Sequence, residues 1–404
     1  MNEEIPIANE LTTSQKPALE VLEKLGYKKI PSEEENGGYN NLTIRHGDLN
    51  QVLLKDVLEK KLNEINSYEY QGKEYKFTPD TIGQAIKDLN GSLLTGLVST
   101  NETIYDLLTI GKSYTQRLVD GSTRSFDIKF IDFDNPEKND FYVTEEYSVM
   151  RSNGKNTARP DIVMFINGIP LAIIECKDVG GVSITQGISQ NIRNQKPDYI
   201  PELMKFIQIL VSANKNAVKY GTVGTPEKFW MVWNEKDTEW QKEILSKVVQ
   251  GREITKQDRD IVSLFEPTRF LEIIKDFIIF EAGIKKVPRY QQYFATKSIV
   301  KRLTVDKEGG VVWHTQGSGK SITMVYVTKK IMEDKNIRNP QVLIVTDRID
   351  LDKQIMKTFN RIGIQAKRAS TGENLVELIK NDNIRVITSI VNKFETVVNK
   401  GVVV

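Results

Sequence analysis

The segment ARPDIVMFINGIPLAIIECKD, Ala158 to Asp178, constrains the fold more than any other stretch of the chain. Two apolar runs flank Asn167-Gly168, a dipeptide suited to a tight turn, so the segment reads as a buried β-hairpin. Its ends carry charge. Asp161 opens the first strand, and Glu175 and Lys177 close the second, where a hairpin built only to pack would place neutral residues.

The register of the two strands decides what these groups can do. If Asn167-Gly168 is a two-residue loop with a regular ladder, Asp161 faces Ile174 and Glu175 points to the other side of the sheet. If the loop holds residues 167–169, or a bulge lies near Pro170, Asp161 faces Glu175 instead. The two side chains are then about 5 Å apart on one face, with Lys177 on the same face. Pro170 has no N–H for the ladder and favours such an irregularity. Two carboxylates beside a lysine suit Mg2+-dependent phosphodiester hydrolysis, whereas acids at the ends of a packing hairpin suit a modest surface ion pair. The register leaves both open. Glu175 adjoins the apolar Ile173 and Ile174, and Gln186 and Gln190 follow on an expected helix, which favours the first.

Histidine and cysteine are too scarce for several other chemistries. The 404 residues hold two histidines, His46 and His314, and one cysteine, Cys176. A Cys/His zinc site, a Ser-His-Asp triad and an intrachain disulfide are therefore not expected. A net charge of +2 makes any basic surface a local one. The acidic start MNEEIPIANE, the lack of a long apolar run and the single cysteine point to the cytoplasm and away from a membrane.

Helices are expected over 12–26, 50–66, 78–93 and 183–195, and strands over 124–133, 140–150, 206–215 and 228–233. These make an α/β domain over 1–260. A helical, amphipathic stretch from 247 to 288, clearest at 268–283, carries the boundary. From 261 to 404 strands at 309–315, 341–347 and 384–390 alternate with helices from Gly319, over 349–363 and over 372–383, a pattern that predicts a parallel sheet.

Within that second domain, VVWHTQGSGKSITMVYV has the makings of a phosphate-binding loop. The glycines Gly317 and Gly319 let backbone N–H groups turn toward phosphate oxygens. The Lys320 ammonium reaches the terminal phosphates, and the Ser321 hydroxyl joins Mg2+. His314 stands where the strict pattern has its first glycine. Upstream, VPRYQQYF places Arg289 and Gln292 where superfamily 2 helicases often read adenine; VTDRIDL, with Asp347 and Arg348, and ITSIVNKFE resemble two further motifs of that group. The chain stops at NKGVVV before the Asp-Glu pair that such an ATPase needs, so nucleotide binding is expected of it and hydrolysis alone is not. A third feature is basic: Lys285, Lys286, Arg289, Lys297, Lys301 and Arg302, interleaved with Tyr290, Tyr293 and Phe294, form either a phosphate-binding patch or a solvated helix face.

Taken together, RPD…ECK with NGIP between, NDFYVTEEYSV before and SQNIRNQ after, then the helicase motifs, closely resemble the restriction subunit of type I restriction-modification enzymes. The resemblance spans nearly the whole chain. It implies a PD-(D/E)xK nuclease domain with a mixed sheet, followed by an incomplete RecA-like parallel α/β lobe. It also implies catalytic Asp161, Glu175, Lys177 and Gln190, with Mg2+ held by Asp161, Glu175 and the Cys176 carbonyl. ATP would bind through Gln292, Thr315, Gly317, Ser318, Gly319, Lys320 and Ser321. Implied partners are double-stranded DNA and the methylation and specificity subunits, and the implied reaction is DNA cleavage coupled to ATP-driven translocation. Asn194 stands where that family often has a tyrosine, and Gln15 roughly where an early helical acid is expected, with Glu20 a weaker substitute. A stand-alone Mg2+ nuclease and a noncatalytic nucleotide-responsive module are the alternatives.

Overall fold

The computed structural model describes residues 11–33, 35, 38–178, 184–235 and 237–399. They form two compact units, Met1–Lys275 with Lys285–Val287, and Asp276–Ile284 with Pro288–Val404. The boundary expected between 260 and 261 falls within a helix of the first unit, Lys256–Phe265, because that helix packs on the helix Lys16–Lys24. Among the described residues no helix is long and apolar enough to cross a membrane.

The first unit is α/β, built on a mixed six-stranded sheet. Its strands are β1 (Lys28–Ile30), β2 (Phe141–Glu145), β3 (Ile162–Ile166), β4 (Ile169–Cys176), β5 (Ile209–Asn214) and β6 (Ala217–Gly221), side by side in chain order. Pairs β1–β2 and β4–β5 are parallel, and β2–β3, β3–β4 and β5–β6 are antiparallel. The hairpin thus lies at the centre. All five residues of β3 and all eight of β4 are buried, as expected of strands covered on both faces. α1 (Lys16–Lys24) precedes β1, and α2 (Ile184–Asn194) lies in the crossover between the parallel strands β4 and β5. Parallel neighbours need such a crossover.

The expected strand over 228–233 is absent. A 3-10 turn, Glu227–Phe229, leads into a single bridge between Met231 and Tyr220, so the aromatics there cap the edge of the sheet instead of extending it. Trp230 and Trp233 are buried without a ladder.

The second unit has a three-stranded parallel sheet, β7 (Val342–Thr346), β8 (Ala366–Arg368) and β9 (Val386–Ile390), in the order β7-β9-β8. α3 (Tyr290–Lys301) and α4 (Lys320–Glu333) belong to it. The strand expected over 309–315 does not form: Val311 and Trp313 are 93% and 91% exposed, and the segment pairs with no strand among the described residues. Apolar alternation supplies side chains for a strand but cannot supply its ladder partner.

Candidate active site

The geometry of the hairpin begins at its turn. Asn167 and Gly168 both have positive φ, 56° and 84°, as a two-residue turn of this hand requires. Buried Asn167 donates through Nδ2 to Phe130 O at 3.0 Å and to Asn139 Oδ1 at 2.8 Å, and its Oδ1 accepts from Asp140 N at 2.9 Å. At Gly168 a Cβ would lie 2.6 Å from Leu54 O, so only glycine fits.

The turn alone would give the register that separates the acids. Ile169 pairs with Ile166 and Pro170 with Phe165, but next Ala172 pairs with Met164, so Leu171 is an extra residue in β4. From there the register is shifted to Ile174 opposite Ile162, the last pair of the ladder, and the same register carried one residue past the strand end would set Asp161 opposite Glu175. The two-residue loop and the bulge are both present. The bulge decides the face.

Asp161 accepts through Oδ2 from Cys176 N at 2.7 Å and lies 3.4 Å from Lys177 Nζ. Glu175 is wholly buried, and Asp161 and Lys177 are only 8% and 6% exposed, which rules out the surface ion pair that the sequence allowed. Lys177 N donates to Ala213 O at 2.8 Å, tying the end of β4 to β5. Among the described residues no group of three or more His, Cys, Asp and Glu is placed to hold a metal. The oxygen donors here are therefore two carboxylates and whatever the backbone adds.

α2 closes over this end of the sheet. Gly187 lies so near β5 that a Cβ would sit 2.2 Å from Ser212 Oγ and 3.4 Å from Glu175 Cβ. Ser212, the parallel partner of Glu175, donates to Ile184 O at 2.7 Å. Gln190, half-buried, is one turn beyond Gly187, and Asn191 donates to Val211 O at 3.0 Å. Asn194 is buried a further turn on, its backbone carbonyl accepting from Ile200 N at 3.2 Å.

Sequence reading missed a second carboxylate cluster beside Asp161. Gln15 Nε2 donates to Glu146 Oε1 at 3.0 Å, Glu145 Oε2 at 3.3 Å and the Asp161 carbonyl at 3.3 Å, while Lys29 pairs with Glu145 at 2.9 Å. Burial raises the Glu145 carboxyl above the ordinary range, against the pull of Lys29. The only signal was the pair of acids ending the strand in FYVTEEY. Gln15 does stand near the acids, as an amide donor, whereas Glu20 is exposed on α1. The Cys176 thiol is buried, and burial with Asp161 beside it pushes its pKa well up, so it is no nucleophile.

In the second unit Gly317 and Gly319 have φ of 77° and 85°, and α4 starts at Lys320 with no side-chain cap, the N–H groups of Ile322 and Thr323 donating to Gly319 O at 3.0 and 3.1 Å. Lys320 Nζ donates to His314 O and Thr315 O at 2.9 and 3.0 Å. Ser318 Oγ donates to Thr315 O at 2.8 Å, and Ser321 is half-buried in the first turn of α4. Gln292 Nε2 donates to Gly319 O at 3.2 Å, and Arg289 to Gly317 O at 3.2 Å, so Gln292 braces the loop. The expected basic stripe is broken: Lys285 is buried in the first unit, its ammonium bonded to Gln208 Oε1 at 2.5 Å and Asn101 Oδ1 at 2.6 Å. Burial lowers its pKa, so it takes no part in a solvated patch.

Comparison with known proteins adds two matches. Residues 7–229 fit the family described as type I restriction enzyme R protein N terminus, and residues 291–403 fit the SWI2/SNF2 ATPase family. The chain is 29% identical, over 98% of its length and 38% of the relative's, to the putative type I restriction enzyme MjaIXP endonuclease subunit of Methanocaldococcus jannaschii. It is 34% identical to the putative MjaVIIP endonuclease subunit of the same organism, over 63% of this chain and 24% of the relative. To the type I restriction enzyme HindI endonuclease subunit of Haemophilus influenzae it is 28% identical, over 78% and 29% of the two. The chain thus spans less than two fifths of the length of these relatives.

Replacing Gly187 with alanine should force α2 off Ser212 and lower the melting temperature, by roughly 1–3 kcal/mol of stability as for other overpacked cores. Adding Ser212→Ala should recover part of the loss. A Gly187→Ala protein as stable as the parent would contradict the close approach.

Proposed function

The chain belongs to the type I restriction enzyme R protein family, and on that premise we propose that it carries the endonuclease site and the nucleotide-binding loop of a DNA restriction subunit. In this reading the first unit is a PD-(D/E)xK nuclease domain, and the second is a RecA-like lobe of an ATP-driven DNA translocase. The enzyme works in the cytoplasm on double-stranded DNA, with methylation and specificity subunits.

The observation that supports the reading is the bulge at Leu171, whose shifted register continues toward Asp161 and Glu175, with Cys176 N and Lys177 Nζ both on the Asp161 carboxylate. The donor chemistry fits Mg2+: two carboxylates and a backbone carbonyl, that of Cys176, are hard oxygen ligands, while the soft thiol of Cys176 is buried and protonated. When bound, the ion lowers the pKa of a water and offsets charge on the phosphate. The chain supplies the rest. Asp161 and Glu175 fix the position of the ligand oxygens, and the Asp161 carboxylate is itself oriented by the Cys176 N–H. The Lys177 ammonium lies where it can hold a water or offset charge on a phosphate oxygen, and Gln190 lies on the helix that roofs the site.

In the lobe, Gly317, Ser318 and Gly319 with the start of α4 would cradle phosphates, and Thr315 and Ser321 would flank them. Lys320 would exchange its carbonyl partners for phosphate oxygens. Gln292, which braces Gly319, would contact the base of a bound nucleotide.

Asp161→Asn in the complete enzyme keeps an acceptor for the Cys176 N–H and removes the charge. DNA cleavage with Mg2+ should fall at least about a hundredfold, with ATP hydrolysis retained; cleavage at the parent rate would refute the metal assignment. Lys320→Ala should weaken nucleotide binding about tenfold or more, read by titration with a fluorescent ATP analogue, and leave divalent-ion binding unchanged. Unchanged nucleotide affinity would remove the loop from the proposal.

A further inference from the structure

Beside the carboxylates stands a basic feature that the cleavage chemistry does not use. The strands Val149–Met150 and Thr157–Ala158 form a small antiparallel hairpin, and the second of them leads within three residues to Asp161. Its base is tied to the site, since Tyr147 N donates to Pro160 O at 3.2 Å and Glu146 N to Asp161 O at 2.9 Å. From Val149 to Arg159 the sequence has Arg151, Lys155 and Arg159 and no acid. The tip is stiff: Asn153 Oδ1 accepts from Lys155 N at 3.0 Å and Asn156 N at 3.1 Å, and Arg151 N donates to Asn156 O at 2.7 Å. Lys155 is held out, exposed, at the end of it.

The hairpin docks where α2 ends. Ser152 N donates to Tyr199 O at 2.8 Å, and the guanidinium groups of Arg151 and Arg193 both lie against the Tyr199 ring, 3.8 and 5.3 Å from its centre. Stacking on a ring fixes a guanidinium plane while leaving its N–H fork for a ligand. Arg193 and Lys196 are exposed, and Arg193 is one helical turn, about 4.5 Å of rise, beyond Gln190. Two acids adjoin the group: Asp198, 3.9 Å from Arg151, and Glu146, 2.5 Å from Arg159. Five bases against these two leave a net positive surface that runs from the tip of the hairpin to the carboxylate end of the sheet.

We propose that this hairpin and the C-terminal end of α2 form a clamp for the phosphate backbone of duplex DNA, with Lys155 and Arg193 as contacts and Arg151 stacked on Tyr199 as its pivot. The occupant follows from charge complementarity and position, since a polyanion entering the carboxylate site passes this surface, and no base-reading side chain is needed for it. The inference rests on the nuclease reading of that site and names how its substrate is held.

The test is the salt dependence of binding. A fluorescent duplex is titrated with the 404-residue chain in EDTA by anisotropy over a series of salt concentrations. The double variant Lys155→Gln, Arg193→Gln, both at exposed positions, should reduce the slope of log affinity against log salt by about 2, near 0.9 for each phosphate contact. In the complete enzyme the same variant should raise KM for DNA and leave kcat at saturating DNA unchanged. An unchanged slope overturns the clamp, as does a loss confined to kcat. The nuclease reading fails separately: a parent protein with a clamp-dependent slope and no Mg2+-dependent cleavage keeps the clamp and loses the catalytic assignment.

Discussion

One residue out of step in a central strand sets which side chains of this protein meet at the end of its hairpin. Leu171 adds a unit to β4 that β3 does not match, and every pair beyond it is displaced by one. Because side chains alternate across a sheet, that displacement moves a whole set of groups from one face to the other. With it, Asp161 and Glu175 share a face. Without it, Asp161 would oppose Ile174, and Glu175 would face the opposite layer.

Such a pair needs a strong frame. Glu175 is fully buried and Asp161 and Lys177 nearly so, and charges removed from water cost several kcal/mol each unless paired and bonded. The frame is the run of apolar residues from Ile162 to Ile174, each fully buried aliphatic side chain contributing about 1.5–3 kcal/mol. Asn167 and Gly168 anchor one end of this hairpin through four hydrogen-bond partners and a glycine-only contact. The anchored turn leaves the bulge as the place where the register adjusts. Gly187 then lets α2 settle directly over Glu175 and Ser212.

Much of this was legible in the sequence. The hairpin, its turn and the need for an irregularity near Pro170 came from local chemistry: an Asn-Gly pair, an imino acid without N–H, and charges at the ends of apolar runs. The glycine loop at Gly317 and Gly319 and the helix that starts at Lys320 were equally local. What escaped depends on partners distant in the chain. Glu145 and Gln15, 130 residues apart, meet only because β2 lies beside β3 and the start of α1 reaches the same end. The segment around Trp313 and the run KFWMVW had the residues of strands, yet neither gained a ladder. Lys285 looked like part of a basic stripe and is instead the buried amine that joins Asn101 to Gln208. A sequence states what a residue prefers, whereas burial is decided by what packs upon it.

The displaced register is proposed to make Asp161 and Glu175 a single divalent-ion site. Its most direct test is Mn2+ binding followed by electron paramagnetic resonance, with the parent chain, Glu175→Gln and a variant lacking Leu171, each checked for its fold by circular dichroism. The parent should bind one ion saturably and both variants should lose that binding, with the folded spectrum retained. Equal Mn2+ binding by a folded variant without Leu171 would contradict it.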